Sequence, residues 1–141
     1  MSRSGYSDDL DTWAMIRWRG AVASAIRGKR GQAFLREVLQ VLDNMPVKEL
    51  AAQTLQADGS FCTIGAVMHA RSMPLPNDDD VWGDPQAIAN ELGITHALTA
   101  EIIYENDEGG WWGRHNSPAD RWVRMRAWIA ELIIETETVK A

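Results

Sequence analysis

Apolar residues recur at helical spacing through most of this chain. In LDTWAMIRWRGAVASAIR, residues 10–27, Met15, Trp18, Val22 and Ile26 fall on one stripe, and Arg17, Ser24 and Arg27 fall away from it. Asp9 or Asp11 can cap the start of that helix. Gly28 and Gly31 then break the pattern, and GQAFLREVLQVLDNM, 31–45, resumes it. There Phe34, Val38, Val41 and Met45 align, with Leu35, Leu39 and Leu42 beside them, while Arg36, Glu37, Gln40 and Asp43 point outward. Pro46 stops this second helix. The spacing predicts an αα-hairpin over 10–45 with a tight glycine-containing turn.

Past Pro46 the signals change. LQADGSFC, 55–62, holds Asp58-Gly59, which predicts a short two-stranded ribbon. CTIGAVMHARSM, 62–73, predicts a helix ended by Pro74 and Pro76, and LPNDDDVWGD, 75–84, an acidic loop. Asp84-Pro85 pairs a cap with a first-turn proline and predicts a helix over QAIANEL, broken by Gly93. ITHALTAEIIYEN, 94–106, predicts the next helix, and NDEGGWWGRHN, 106–116, a glycine-rich loop. Ser117-Pro118-Ala119-Asp120 sets a cap, a first-turn proline and an acid three residues on. The final helix then covers 118–135, with Trp122, Met125, Ile129 and Leu132 as its stripe. Glu135 and Glu137 oppose the negative end of its dipole, so 136–141 reads as a frayed tail, as does 1–9. The expected fold is mainly α: one domain over 1–141, a compact bundle of five or six helices with one short β-hairpin.

Composition narrows the class. A chain of 141 residues suits one domain with a single core. Seven tryptophans point to an aromatic-rich core or interface. The lone cysteine, Cys62, excludes an intrachain disulfide and fits a reducing cytosol. No apolar run approaches a membrane span and the N-terminus lacks an apolar leader segment, so no membrane partner is expected. The net charge of −6 is uneven: residues 1–50 carry eight Lys/Arg against six Asp/Glu, and residues 51–141 six against fourteen. Such a field does not drive the protein onto nucleic acid, so any such contact is local to the first third.

The chemistry-bearing patterns are few. Arg27, Lys29 and Arg30, in IRGKRGQAF at 26–34, surround an expected helix start and could hold a phosphate or an acidic partner. A phosphate-binding P-loop is excluded: a helix precedes it, the spacing is wrong, and no Ser or Thr follows the lysine. QAIANELGITHALTAEII, 86–103, has the cadence of a helix-turn-helix, but no Lys or Arg lies between Arg71 and Arg114. Cys62 and His69 are seven residues apart, too far along one helix for a thiol–imidazole pair, so Cys62 reads as a small buried hydrophobe. His69, His96 and His115 lack metal-ligand spacing, and Asp78-Asp79-Asp80 lacks the pattern of a calcium loop. No catalytic, metal or cofactor site is therefore expected. The three aspartates read instead as a solvated acidic loop, one that could present carboxylates to a basic groove. Asn106-Asp107-Glu108 beside Trp111 and Trp112 could serve acid–base work or a helix end, while the acid-rimmed tryptophan pair fits a protein-binding hot spot.

The blocks WAMIRWRGAVASAIRGKRGQAFLREVL, DGSFCTIGAVMHAR, EIIYENDEGG and RWVRMRAWI resemble a family of small proteins encoded by tailed bacteriophages and prophages of Gram-negative bacteria. The likeness spans nearly the whole chain and is loosest over 70–90. It implies a phage accessory protein in the bacterial host cytoplasm and supplies no catalytic residues. The expected function is non-enzymatic: binding and modulating or inhibiting a host defence or regulatory protein through Asp78, Asp79, Asp80, Trp111 and Trp112, with self-association into a homodimer as a further expectation. The alternative is a nucleic-acid binder using Arg27, Lys29, Arg30 and a degenerate helix-turn-helix at 86–103.

Overall fold

The structure, a computed structural model, describes residues 12–75, 84–109 and 117–135. Helices α1 (Thr12–Arg27) and α2 (Lys29–Asn44) are separated by Gly28 alone. The break is therefore one residue, where the sequence pattern left residues 28–30 between the two helices. Gly31 lies inside α2, where the two helices meet: a Cβ there would sit 1.8 Å from the Ala25 carbonyl oxygen. Its glycine answers close backbone approach and not helix termination.

Strands β1 (Gln56–Ala57) and β2 (Ser60–Phe61) pair antiparallel, Gln56 opposite Phe61 and Ala57 opposite Ser60. Asp58 and Gly59 both have positive φ, 51° and 81°, as a two-residue hairpin turn requires. Helix α3 (Thr63–Ala70) follows at once, and the Cys62 thiol caps it by accepting the Gly65 amide at 3.3 Å. It stops three residues short of the predicted end, at Arg71 and the positive-φ Ser72. Helices α4 (Pro85–Leu92), α5 (His96–Glu108) and α6 (Pro118–Leu132) start where their capping residues sit. Asp84, Thr95 and Ser117 each accept a backbone amide of the following turn. Gly93 closes α4 in the left-handed region.

Two helices organise the packing. Helix α2 lies against α1, α3 and α6, and α5 lies against α1, α3, α4 and α6. Buried side chains of α2 to α6 and of the 50–55 segment form one cluster, with Leu35, Val38, Leu42, Leu50, Ile64 and Ile102 at its fully buried centre. Helix α1 is peripheral, since Val22 is its only buried residue. Among the described residues no helix is long and apolar enough to cross a membrane. The core stripes of α2 and α6 follow the predicted period, and Arg121, which is not in the predicted α6 stripe, is buried as well. Its guanidinium donates to the Leu50 carbonyl at 2.8 Å, which ties α6 to the 46–55 segment.

Candidate functional site

This packing leaves an apolar groove along the C-terminal half of α2. Val41 and Met45 continue the apolar stripe of α2 beyond the part that α3 and α6 cover, so both remain half-buried. The chain then turns at Pro46 and brings up Val47, which is 59% exposed. Across the groove stand Phe61 of β2 and the small residues Ala66 and Ala70 of α3. Gly65 sets that wall: a Cβ there would meet the Leu55 carbonyl oxygen at 2.0 Å, so α3 packs hard onto the preceding segment. The result is an open cavity of about 390 Å³ with a mainly apolar lining. Concave apolar sites of this size with a few polar groups are the usual form of a binding site.

Its polar groups are specific. His69 stacks on Phe61, ring centroids 4.5 Å apart and 23° between planes. Glu37 and Glu49 stand on the rim. Glu37 is fully engaged by the Arg71 guanidinium in a two-point pair at 2.6 and 2.7 Å. Glu49 has no hydrogen-bond or ion partner among the described residues. Lys48 is turned away from it, donating to the Leu42, Asp43 and Met45 carbonyls that end α2 and lying 5.3 Å from the Trp122 ring. The groove therefore offers an apolar floor, one stacked aromatic pair and one free carboxylate.

Arg27, Lys29 and Arg30 lie together at the α1–α2 junction, all exposed. None of them makes a hydrogen bond or ion pair among the described residues. Beside them a second cavity of about 430 Å³ opens between the junction and the start of α5, with Ser24 on one wall and Thr95 on the other. At 1.5 Å per residue, the near edge of the groove at Glu37 is about 12 Å along α2 from the junction, and its far end at Met45 about 24 Å. The other sequence candidates, Asp78, Asp79, Asp80, Trp111 and Trp112, lie outside the described residues.

The 86–103 segment does form a helix pair, but its second helix is the central one of the fold. Ala97, Leu98, Ala100, Ile102 and Ile103 are buried, and no residue of α5 is exposed. A helix with no free face cannot lie in a DNA groove. The helix pair serves as a packing unit of the core. Asn106 and Asp107 are likewise buried, and their side chains chiefly hold backbone groups. Asn106 Oδ1 accepts the Thr63 amide and hydroxyl, its Nδ2 donates to the Ala51 carbonyl, and Asp107 accepts the Gln53 amide.

Glu105, on the neighbouring turn, carries the strain of this arrangement. Burial first, and the Glu101 carboxylate second, push its pKa above the ordinary glutamate value, against Arg124 and Arg19. A raised acid binds its proton more tightly in the folded state, so its contribution is most favourable at low pH and is lost as pH rises through the folded value. At neutral pH the charged form opposes folding. Glu105→Gln is expected to raise the thermal midpoint by about 2–4 °C at neutral pH, and the gain should shrink toward about pH 4. Melting curves of both proteins across that range check it, and a gain that grows on acidification refutes the sign.

No protein-family model, curated protein or solved structure matches this chain.

Proposed function

We propose that this protein is a non-enzymatic binding module that seats a short segment of a partner protein in the α2–hairpin–α3 groove. The observation that carries this reading is the composition of the groove: Val41, Met45, Val47 and Phe61 on an apolar surface with the unpaired carboxylate of Glu49 at its rim. The fitting segment has an aromatic or aliphatic anchor for the floor and a Lys or Arg beside it for Glu49. The deep polar groups support a binding role over a catalytic one, since Asn106, Asp107 and Arg121 are committed to holding backbone. In the setting that the phage resemblance implies, the partner is a host protein of the bacterial cytoplasm whose function is altered by occupancy.

Val47 and Glu49 are exposed, so changing them leaves the core intact. A random-peptide library displayed on yeast is the direct test. Wild-type protein should enrich sequences with an apolar anchor next to a cation. Val47→Glu should weaken the enriched peptides at least about tenfold, the size of a lost interface anchor, and Glu49→Lys about threefold to tenfold. Failure to enrich any such motif, or enriched peptides indifferent to Val47→Glu, refutes the groove as the site.

A further inference from the structure

A second surface, independent of the groove, carries its own chemistry. Between residues 12 and 36 the chain has six Lys/Arg and no Asp/Glu, in a protein of net charge −6. Two of the six are used internally: Arg19 faces Glu101 at 3.5 Å, and Arg36 donates to the Ile134 carbonyl at 2.6 Å. Arg17, Arg27, Lys29 and Arg30 donate to nothing among the described residues. Elsewhere the fold ties its described cations down, as Arg71 on Glu37, Arg126 on Asp43 and Arg121 on the Leu50 carbonyl show.

The free cations are not scattered. Trp13, Arg17, Gly20, Ser24 and Arg27 follow at helical spacing along one face of α1, and every one of them is exposed. Trp13 is 72% exposed and stands one turn before Arg17. Gly20 and Ser24 leave the middle of the stripe low, and a Cβ at Gly20 would meet nothing within 4 Å. The face then runs into Lys29 and Arg30. At 1.5 Å per residue, Trp13 and Gly28 are about 22 Å apart.

We propose that this face binds single-stranded nucleic acid, with a base stacked on Trp13 and the phosphate backbone tracked by Arg17, Arg27, Lys29 and Arg30. An exposed ring at one end of a line of unpaired cations is the recurring form of such sites, which read no sequence and need no groove-reading helix. The stretch from Arg17 to Arg30 offers charge with little exposed apolar area, which suits phosphates better than the apolar centre of a protein interface. Because residues 12–36 supply cations and no carboxylate of their own, this face offers an attractive surface to a polyanion within an acidic protein.

The test is fluorescence anisotropy with a labelled oligothymidylate of about twelve nucleotides, a duplex of equal length, and a polyglutamate peptide as competitor. Wild-type protein should bind the single strand, with a log–log salt slope of about −2 to −3 for three to four phosphate contacts. Arg27→Ala/Lys29→Ala/Arg30→Ala should weaken binding at least about tenfold and flatten the slope by about 2, while Arg27→Lys/Arg30→Lys should retain most of it. Trp13→Ala should weaken binding about fivefold or more with the slope unchanged, the mark of a stacking contact. All these residues are exposed, and thermal melting confirms that each variant is folded. Absence of binding at about 50 mM salt overturns the proposal, as does a triple variant that binds like wild type. Polyglutamate that competes as well as the oligonucleotide assigns the face to an acidic protein and overturns it too. The groove plays no part in this experiment, so Val47→Glu should bind the oligonucleotide as wild type does.

Discussion

Asn106→Ala is expected to destabilise the protein by about 3–5 kcal/mol, a large share of the stability of an ordinary domain. The side chain is 1% exposed and makes four hydrogen bonds. Its Oδ1 accepts from the Thr63 amide at 3.0 Å and the Thr63 hydroxyl at 2.8 Å. Its Nδ2 donates to the Ala51 carbonyl at 3.0 Å and to Asp107 Oδ1 at 2.9 Å. Truncation strands these partners in a dry site, and each stranded group costs about 1–3 kcal/mol before any water enters. The damage also spreads through the fold. Ala51 and Gln53 belong to the segment that carries the chain from α2 to the hairpin, and Thr63 opens α3. Asn106 thus ties the segment that leads to the hairpin to the first residue of α3. Urea unfolding checks this: at an m-value of about 2 kcal/mol/M the midpoint should fall by about 2 M. A loss below about 1 kcal/mol would show that the 50–63 region is held by burial of Leu50, Leu55 and Ile64 alone.

That hub marks the limit of what the sequence discloses. The elements whose signals are local were legible. Asp58-Gly59 names its own turn, Asp84-Pro85 its own helix start, and Ser117-Pro118 with Asp120 another, because cap and capped residue are neighbours in the chain. The burial of Asn106, Asp107 and Arg121 is not legible in the sequence, where polarity is all that these positions disclose. Their partners, Thr63, Gln53 and Leu50, lie 43 to 71 positions away. The groove was hidden for a related reason. Val41 and Met45 carry the same periodic signal as Val38 and Leu42, and only the docking of α3 and the hairpin decides which pair is covered. The width of the α2 stripe was the available hint: seven apolar positions are more than the contacts with α3 and α6 bury. The basic junction was visible from the start, since unpaired cations in a segment without carboxylates need no distant partner to be seen.

The second large effect concerns that junction. Gly31→Ala is expected to unseat α1 while leaving the rest of the fold in place. The added Cβ would lie 1.8 Å from the Ala25 carbonyl oxygen and 2.9 Å from its carbon. Both atoms are backbone of the last turns of α1, so no side chain can rotate aside and the helices must part. Forced overlaps in packed regions cost about 1–3 kcal/mol, and one against backbone belongs at the top of that range or above. What gives way is the weaker body. Helix α2 is anchored by Phe34, Leu35, Val38 and Leu42, whereas α1 buries Val22 alone. Helix α1 adds only half-buried contacts, the edge of Trp18 on His96 at 5.4 Å among them. Amide hydrogen exchange separates this outcome from global unfolding: residues 12–27 should exchange about a hundredfold faster or more, and α5 and α6 should keep their protection within a few-fold. Gly28→Ala is the control. Its φ is −70° and its Cβ would sit 3.5 Å from the nearest atom, so it forces no clash; it should cost only the small N-cap difference between Gly and Ala and leave α1 seated. A Gly31→Ala protein with native exchange over 12–27 would mean that the two helices slide apart at little cost, and that the glycine does not set their approach. If α1 does come loose, Trp13 and Arg17 lose their fixed relation to Lys29 and Arg30. Oligonucleotide binding should then weaken without the loss of a single charge.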